Sequence, residues 1–194
     1  DLVKELAADV VKNHDVQFVV LGKGEAQFES FFTELEREYP EKVKALLTYD
    51  RDLSKKIYAA CDIFVMPSKS EPCGLSQMIA SRYGAFPVTR ETGGLYDSIK
   101  GYWEDGNGKI HGNGFTFAGY SSEELPDAIR RAEAVWYDAP RRRKLIAKIA
   151  ALDPKDGAVD ETVFAEQKEK FKKRINARNC FKFNIKQAFL HFLF

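Results

Sequence analysis

Short runs of consecutive apolar, often β-branched residues, each followed by an amphipathic stretch, constrain this chain more than any other feature. VQFVVL (16–21) precedes a segment at about 26–39 with Phe28, Phe31, Phe32 and Leu35 on one side. The weaker VKALLTY (43–49) precedes RDLSKKIYAA (51–60), DIFVMP (62–67) precedes a helical stretch at 75–83, and AFPVT (85–89) follows. Runs that are apolar at successive positions suit strands covered on both faces. Strands of this kind, separated by helices, join through right-handed crossovers. The expected fold is α/β, a doubly wound and mostly parallel sheet with helices on both faces. Pro87 weakens the last strand, because it removes a ladder donor.

Leu2, Val3, Leu6, Ala7, Val10 and Val11 share one helical face, so residues 1 to about 13 are an amphipathic helix. KGYWEDGNGKIHGNGF (100–115) is rich in glycine and asparagine and predicts a long loop. Ser121 and Glu124 have capping-box spacing for a helix reaching Asp138, and Pro140 sits where the next helix, RRRKLIAKIAA, can begin. Residues 152–180 are highly charged and sparsely apolar, which predicts a solvated, partly helical insertion. In 181–194, FKFNIKQAFLHFLF, residues Phe181, Ile185, Ala188, Phe189 and Phe192 can share a helical face with too much apolar surface to leave in water. The 194 residues, 44% hydrophobic and 30% charged, suit one domain over 1–194.

A formal net charge of +1 gives no reason to expect nucleic acid or an anionic membrane as the main partner. No apolar run approaches the roughly 20 residues of a membrane span, and the N-terminus lacks a signal-peptide layout. Cys61, Cys73 and Cys180 suggest neither a disulfide framework nor a zinc site, and a reducing compartment fits them. His14, His111 and His191 fall in different predicted elements, so no metal is expected.

In open parallel sheets, ligands bind beyond the carboxyl ends of strands. PSKSEPCGLSQMIASRYG (67–84) occupies such a place, between DIFVMP and the helix at 75–83. Free amides near Gly74, Leu75 and Ser76 at that helix start favour an anion such as a diphosphate. The Ser76 hydroxyl either touches that anion or caps the helix. Glu71, an acceptor-only carboxylate beside the anion site, suits the hydroxyls of a sugar, against the default of a solvated loop charge. Cys73 is more often a small buried filler than a nucleophile. TGGLYDSI (92–99) follows the next strand, and Gly93 and Gly94 there permit close approach or positive φ. Tyr49 offers either a ring face to a base or an ordinary core contact.

MPSKSEPCGLSQMIASRYGAFPVTRETGGLYDSI closely resembles the donor-site segment of glycogen and starch synthases, retaining glucosyltransferases of the GT-B fold. VVLGKGE, TYDRDLSKKIYAACDIFVMPS and NGFTF match the same family in order, over about 1–150, and FKFNIKQAFLHFLF (181–194) resembles the family's closing helix. The resemblance implies the C-terminal, Rossmann-like half of such an enzyme, entered after the family's first strand. It implies a nucleotide sugar, ADP-glucose or UDP-glucose, as donor, an α-glucan as acceptor and a separate N-terminal half, with no cofactor or metal. Glu71 becomes the catalytic-site carboxylate beside the glucose. Leu75 and Ser76 offer amides to the diphosphate, Tyr49 stacks on the base, Cys73 and Gly74 shape the sugar pocket, and Thr92, Gly93 and Gly94 line the donor site. Plastid and cytoplasm both fit.

The chain departs from the family at Ser76, where threonine is usual, at Ile79, where ribose contacts are in question, and at Glu91, where a basic residue is common. The family's first strand and the arginine and lysine after it should precede residue 1. A noncatalytic glucan-initiation scaffold and a GT-B transferase of another sugar are the alternatives.

Overall fold

The computed structural model describes residues 2–150 and 188–193, and the charged insertion expected at 152–180 lies outside them. The apolar runs form β1 (Gln17–Gly22), β2 (Val43–Leu46), β3 (Ile63–Met66) and β4 (Phe86–Arg90). They alternate with α1 (Leu2–Asn13), α2 (Ala26–Glu38), α3 (Arg51–Ala60), α4 (Ser76–Arg82) and α5 (Gly93–Ser98). The start of α3 is set by Asp50, whose carboxylate accepts from the amides of Asp52 at 3.0 Å and Leu53 at 2.9 Å. Beyond α5 come β5 (Trp103–Glu104), β6 (Ile110–His111), β7 (Phe115–Phe117), α6 (Glu124–Tyr137), α7 (Ala139–Ala150) and β8 (Ala188–Leu193).

Six strands make one sheet in the order β2-β1-β8-β3-β4-β7, and every ladder in it is parallel. Side chains alternate between its two faces. Phe18, Val20, Ile63, Val65, Phe86 and Val88 point to one core, shared with α1, α2, α6 and α7. Val19, Leu21, Phe64 and Met66 point to a second core with Ile57, Tyr58, Ala80 and Leu95. Burial on both faces is why the strands read as continuous apolar runs. The doubly wound α/β fold expected from the pattern is the fold observed.

Pro87 is tolerated for a geometric reason. The amide of Phe86 donates to Asp62 in the β3 direction at 2.9 Å, so position 87 turns its nitrogen toward β7. There the ladder begins only at Val88 with Phe115, and the Pro87 ring packs against Gly114.

Residues 188–193 are a strand and not part of the closing helix expected over 181–194; the rest of that segment lies outside the described residues. Phe18 and Ile63 both register with Phe189, and Val19 and Phe64 with Leu190. AFLHFL fills the slot between β1 and β3, which would otherwise present two unpaired edges. A short dense apolar run satisfies helix and buried-strand patterns equally, and the open ladders decide between them.

The stretch 100–115 is not a plain loop. It folds as an antiparallel hairpin, β5 on β6, and then enters β7. The Asp105 carboxylate accepts from the amides of Asn107 and Lys109, both at 3.0 Å, and Trp103 stacks on His111 with ring centres 4.0 Å apart. The capping box forms only by half. Ser121 Oγ accepts from the Glu124 amide at 3.2 Å, but the Glu124 carboxylate turns away to the amides of Ala118 and Gly119 at 3.0 and 2.8 Å.

Candidate functional site

Strands β3 and β4 are neighbours, and each ends in a turn at the same edge of the sheet. The β3 turn carries Glu71, Pro72, Cys73, Gly74 and Leu75 into α4, and the β4 turn carries Thr92 into Gly93 and Gly94 at the start of α5. The Gly94 amide donates to the Glu71 carbonyl at 3.0 Å, which joins the turns through their backbones. A β-carbon on Gly94 would stand 2.1 Å from the Cys73 carbonyl oxygen, and one on Gly93, at φ +47°, would stand 2.1 Å from that of Glu71. The glycine pair is thus required by the contact between the two turns.

The α4 start is open. Leu75, the N-cap residue, supplies no side-chain cap and is 62% exposed, and the first helical bond runs from the Ile79 amide to the Leu75 carbonyl at 3.0 Å. The amides of Ser76, Gln77 and Met78 therefore have no helical carbonyl within reach. Gly74 enters the helix at φ +67°, with its α-carbon packed on the side-chain amide of Gln77. The Ser76 hydroxyl is hydrogen-bonded to the phenol of Tyr58 from α3. Burial raises the Tyr58 pKa and the Ser76 bond opposes that rise.

The structure brings Glu71, Cys73, Gly74, Leu75 and Ser76 together with Thr92, Gly93 and Gly94. Cys73 is exposed and not the small buried filler that a cysteine of this kind suggests. Its carbonyl is pressed against Gly94, so the residue follows the turn at the surface. Tyr49 lies past the end of β2 and is 85% exposed, so its ring is no core contact. It shares the carboxyl edge of the sheet, but β1 and β8 stand between its strand and β3. Glu71 is half-buried.

Sequence reasoning missed the residues that brace these turns. Arg90, at the end of β4, donates to the carbonyls of Lys69 and Ala118. Gln77 donates to the Gly74 carbonyl and to Ser98, and Asn113 Nδ2 donates to the Ser98 carbonyl at 2.9 Å. No local pattern marks them, because the groups they reach are brought close only by the fold. Among the described residues, no group of three or more His, Cys, Asp and Glu can hold a metal ion, and no helix is long and apolar enough to cross a membrane.

A family model described as "Glycosyl transferases group 1" matches residues 1–151. The glycogen synthase of Bacillus licheniformis is 43% identical over 153 residues, which is 79% of this chain and 31% of that protein. That of Bacillus subtilis strain 168 is 46% identical over 132 residues, covering 68% of this chain and 27% of the relative. The chain thus spans about a third of the length of these curated relatives or less. Among solved structures, the catalytic domain of starch synthase IV from Arabidopsis thaliana, bound to ADP and acarbose, superposes with a TM-score of 0.67 at 30% identity. The match covers 90% of this chain and 36% of that one. Anabaena Alr3699/HepE in complex with UDP-glucose shares the fold, with a TM-score of 0.58 at 18% identity over 89% of this chain and 44% of its own.

Proposed function

The chain belongs to the group 1 glycosyl transferases, and on that premise we propose that it is the donor-binding half of a glycogen or starch synthase. The longer enzyme transfers glucose from ADP-glucose or UDP-glucose to the non-reducing end of an α-1,4-glucan, with retention. The observation that supports this reading is the joining of the two strand-end turns through the Gly94 amide and the Glu71 carbonyl, in a turn that runs on from Glu71 into the open start of α4. An acceptor-only carboxylate and a row of unpaired amides are complementary to a sugar linked to a diphosphate.

In this reading Glu71 accepts hydrogen bonds from the glucose hydroxyls. Leu75 and Ser76 present amides to the diphosphate, and Cys73 and Gly74 shape the sugar pocket. Thr92 and Gly93 line its far side. Gly94 contributes by its closeness to Cys73, since its own amide is engaged by Glu71. The exposed ring of Tyr49 stacks on the base. Among the two donors, ADP-glucose is favoured by the likeness to a starch synthase domain that holds ADP.

The acceptor hydroxyl attacks from the face the leaving diphosphate departs, and that diphosphate helps to take its proton. The protein then acts by positioning and by stabilising the leaving group's charge, without a metal. A separate N-terminal half meets the glucan, and the plastid or the cytoplasm is the setting in which such a donor is consumed. The test is turnover of labelled ADP-glucose into glucan by the complete parent enzyme. The reading predicts robust turnover that drops by roughly 100-fold or more in Glu71→Ala, as loss of a positioning contact at the reacting sugar requires. Equal turnover by the two proteins would overturn it.

A further inference from the structure

Gln77 is fully buried, yet it sits one residue inside α4, directly beneath the turn that carries Glu71. Its Nε2 donates to the Gly74 carbonyl at 2.8 Å and to Ser98 Oγ at 3.0 Å. Chemistry fixes the orientation of this amide. The Gly74 carbonyl can only accept, and the single hydroxyl proton of Ser98 is given to the Gly94 carbonyl at 2.7 Å, so Ser98 must accept from Gln77. Only the NH2 end of the side chain has two protons to give. The other end, Oε1, is buried with no partner among the described residues.

These bonds close a ring. From Gly74 the relay passes through Gln77 and Ser98 to the carbonyl of Gly94, and the Gly94 amide returns to the carbonyl of Glu71, three residues before Gly74. Asn113 anchors the relay from outside by donating to the Ser98 carbonyl. A fold that needed only filler at this point would be better served by an apolar side chain of equal volume, which leaves no stranded oxygen.

Resting on the donor-site reading above, we infer that Gln77 is a positioning residue: it locks the Glu71 turn to the Gly93–Gly94 turn and so holds the carboxylate where the sugar arrives. Ser98 is the second link of the same lock.

The experiment compares the 194-residue chain with its Gln77→Met and Ser98→Ala variants by amide hydrogen exchange and by titration with ADP and with ADP-glucose. The Gly94 amide should lose about tenfold or more of its protection in both variants, while amides of the β3–β4 ladder keep theirs. The unfolding midpoint of Gln77→Met should hold or rise, and Ser98→Thr, which keeps the hydroxyl, should restore protection. Unchanged protection at Gly94, or loss shared equally with the ladder, overturns the inference in favour of plain structural support. Should Gln77→Met fail to fold, Ser98→Ala alone decides by the same criterion. The titrations separate the two layers: a wild-type chain with no preference for ADP-glucose over ADP counts against the donor reading, and Gly94 exchange still decides the lock. A preference present in wild type and undiminished in both variants overturns the lock by itself.

Discussion

Arg90 Nη1 donates to the carbonyl of Lys69 at 2.8 Å, a contact that reaches from the end of one strand into the turn of its neighbour. Nε of the same side chain donates to the Ala118 carbonyl at 3.1 Å, and the guanidinium lies 5.8 Å from the Tyr120 ring centre. One side chain thus ties together the turns that follow β3, β4 and β7. The planar fork carries its donors on separate nitrogens and so spans two carbonyls lying in different directions, where a lysine would have one nitrogen to offer.

Arg90→Ala should therefore lower stability by about 1–2 kcal/mol, because two carbonyls lose a charged donor at a partly exposed site. Arg90→Lys should recover less than half of that. Urea denaturation of the three proteins measures it, and an alanine variant as stable as wild type would contradict the bracing role.

The glycine contacts separate two kinds of position sharply. Gly94→Ala places a β-carbon 2.1 Å from the Cys73 carbonyl, a backbone atom that cannot step aside, and should cost roughly 2 kcal/mol or more. At Gly106 a β-carbon meets nothing within 4 Å, and Gly106→Ala should change stability by no more than about 0.5 kcal/mol. Comparable effects from both substitutions in thermal unfolding would mean that the two turns are not in contact.

A pH dependence follows from the packing of α1 on α6. Burial raises the Glu133 carboxyl above its ordinary value of 4.5, and His14, whose Nδ1 lies 2.8 Å from Oε2, opposes that rise. A carboxyl raised in the folded state contributes stability that is complete below its unfolded pKa and is lost as pH climbs through the folded value. Glu133→Gln stays neutral throughout, so its stability relative to wild type should improve from about pH 4 upward. Urea midpoints at several pH values test this, and a relative stability that falls with rising pH would contradict it.

Strand β8 makes a more drastic prediction. It is paired on both sides, with β1 over six registered positions, Gln17 to Gly22, and with β3 at Ile63 and Phe64. A chain shortened to end at residue 187 should expose both edges, lose its cooperative unfolding transition and associate through the open ladders. Circular dichroism melts and light scattering would reveal the change. A shortened chain that is monomeric and melts like the full one would show that the slot needs no strand.

The strands and most of the helices were legible because their periods are strong: four apolar runs became β1 to β4, and RDLSKKIYAA became α3. The rule that ligands sit beyond strand ends pointed to the α4 start, and family likeness singled out Glu71. What stayed hidden is tertiary. Nothing local in FKFNIKQAFLHFLF separates a helix face from a strand covered on both sides, and only the unfilled slot between β1 and β3 resolves it. The turn formers in 100–115 masked a hairpin held by the Trp103–His111 stack and the bonds of Asp105. Gly93 and Gly94 read only as permitting close approach or positive φ, and the bond from the Gly94 amide to Glu71 belongs to the fold.

Calorimetric titration of the chain and its Glu71→Ala variant with ADP and ADP-glucose bears most directly on the sugar contact. Wild type should bind ADP-glucose more tightly than ADP, and the variant should lose that increment, by about 1–3 kcal/mol, while its ADP affinity stays the same. Equal ADP-glucose affinities for the two proteins would mean that this carboxylate does not hold the sugar.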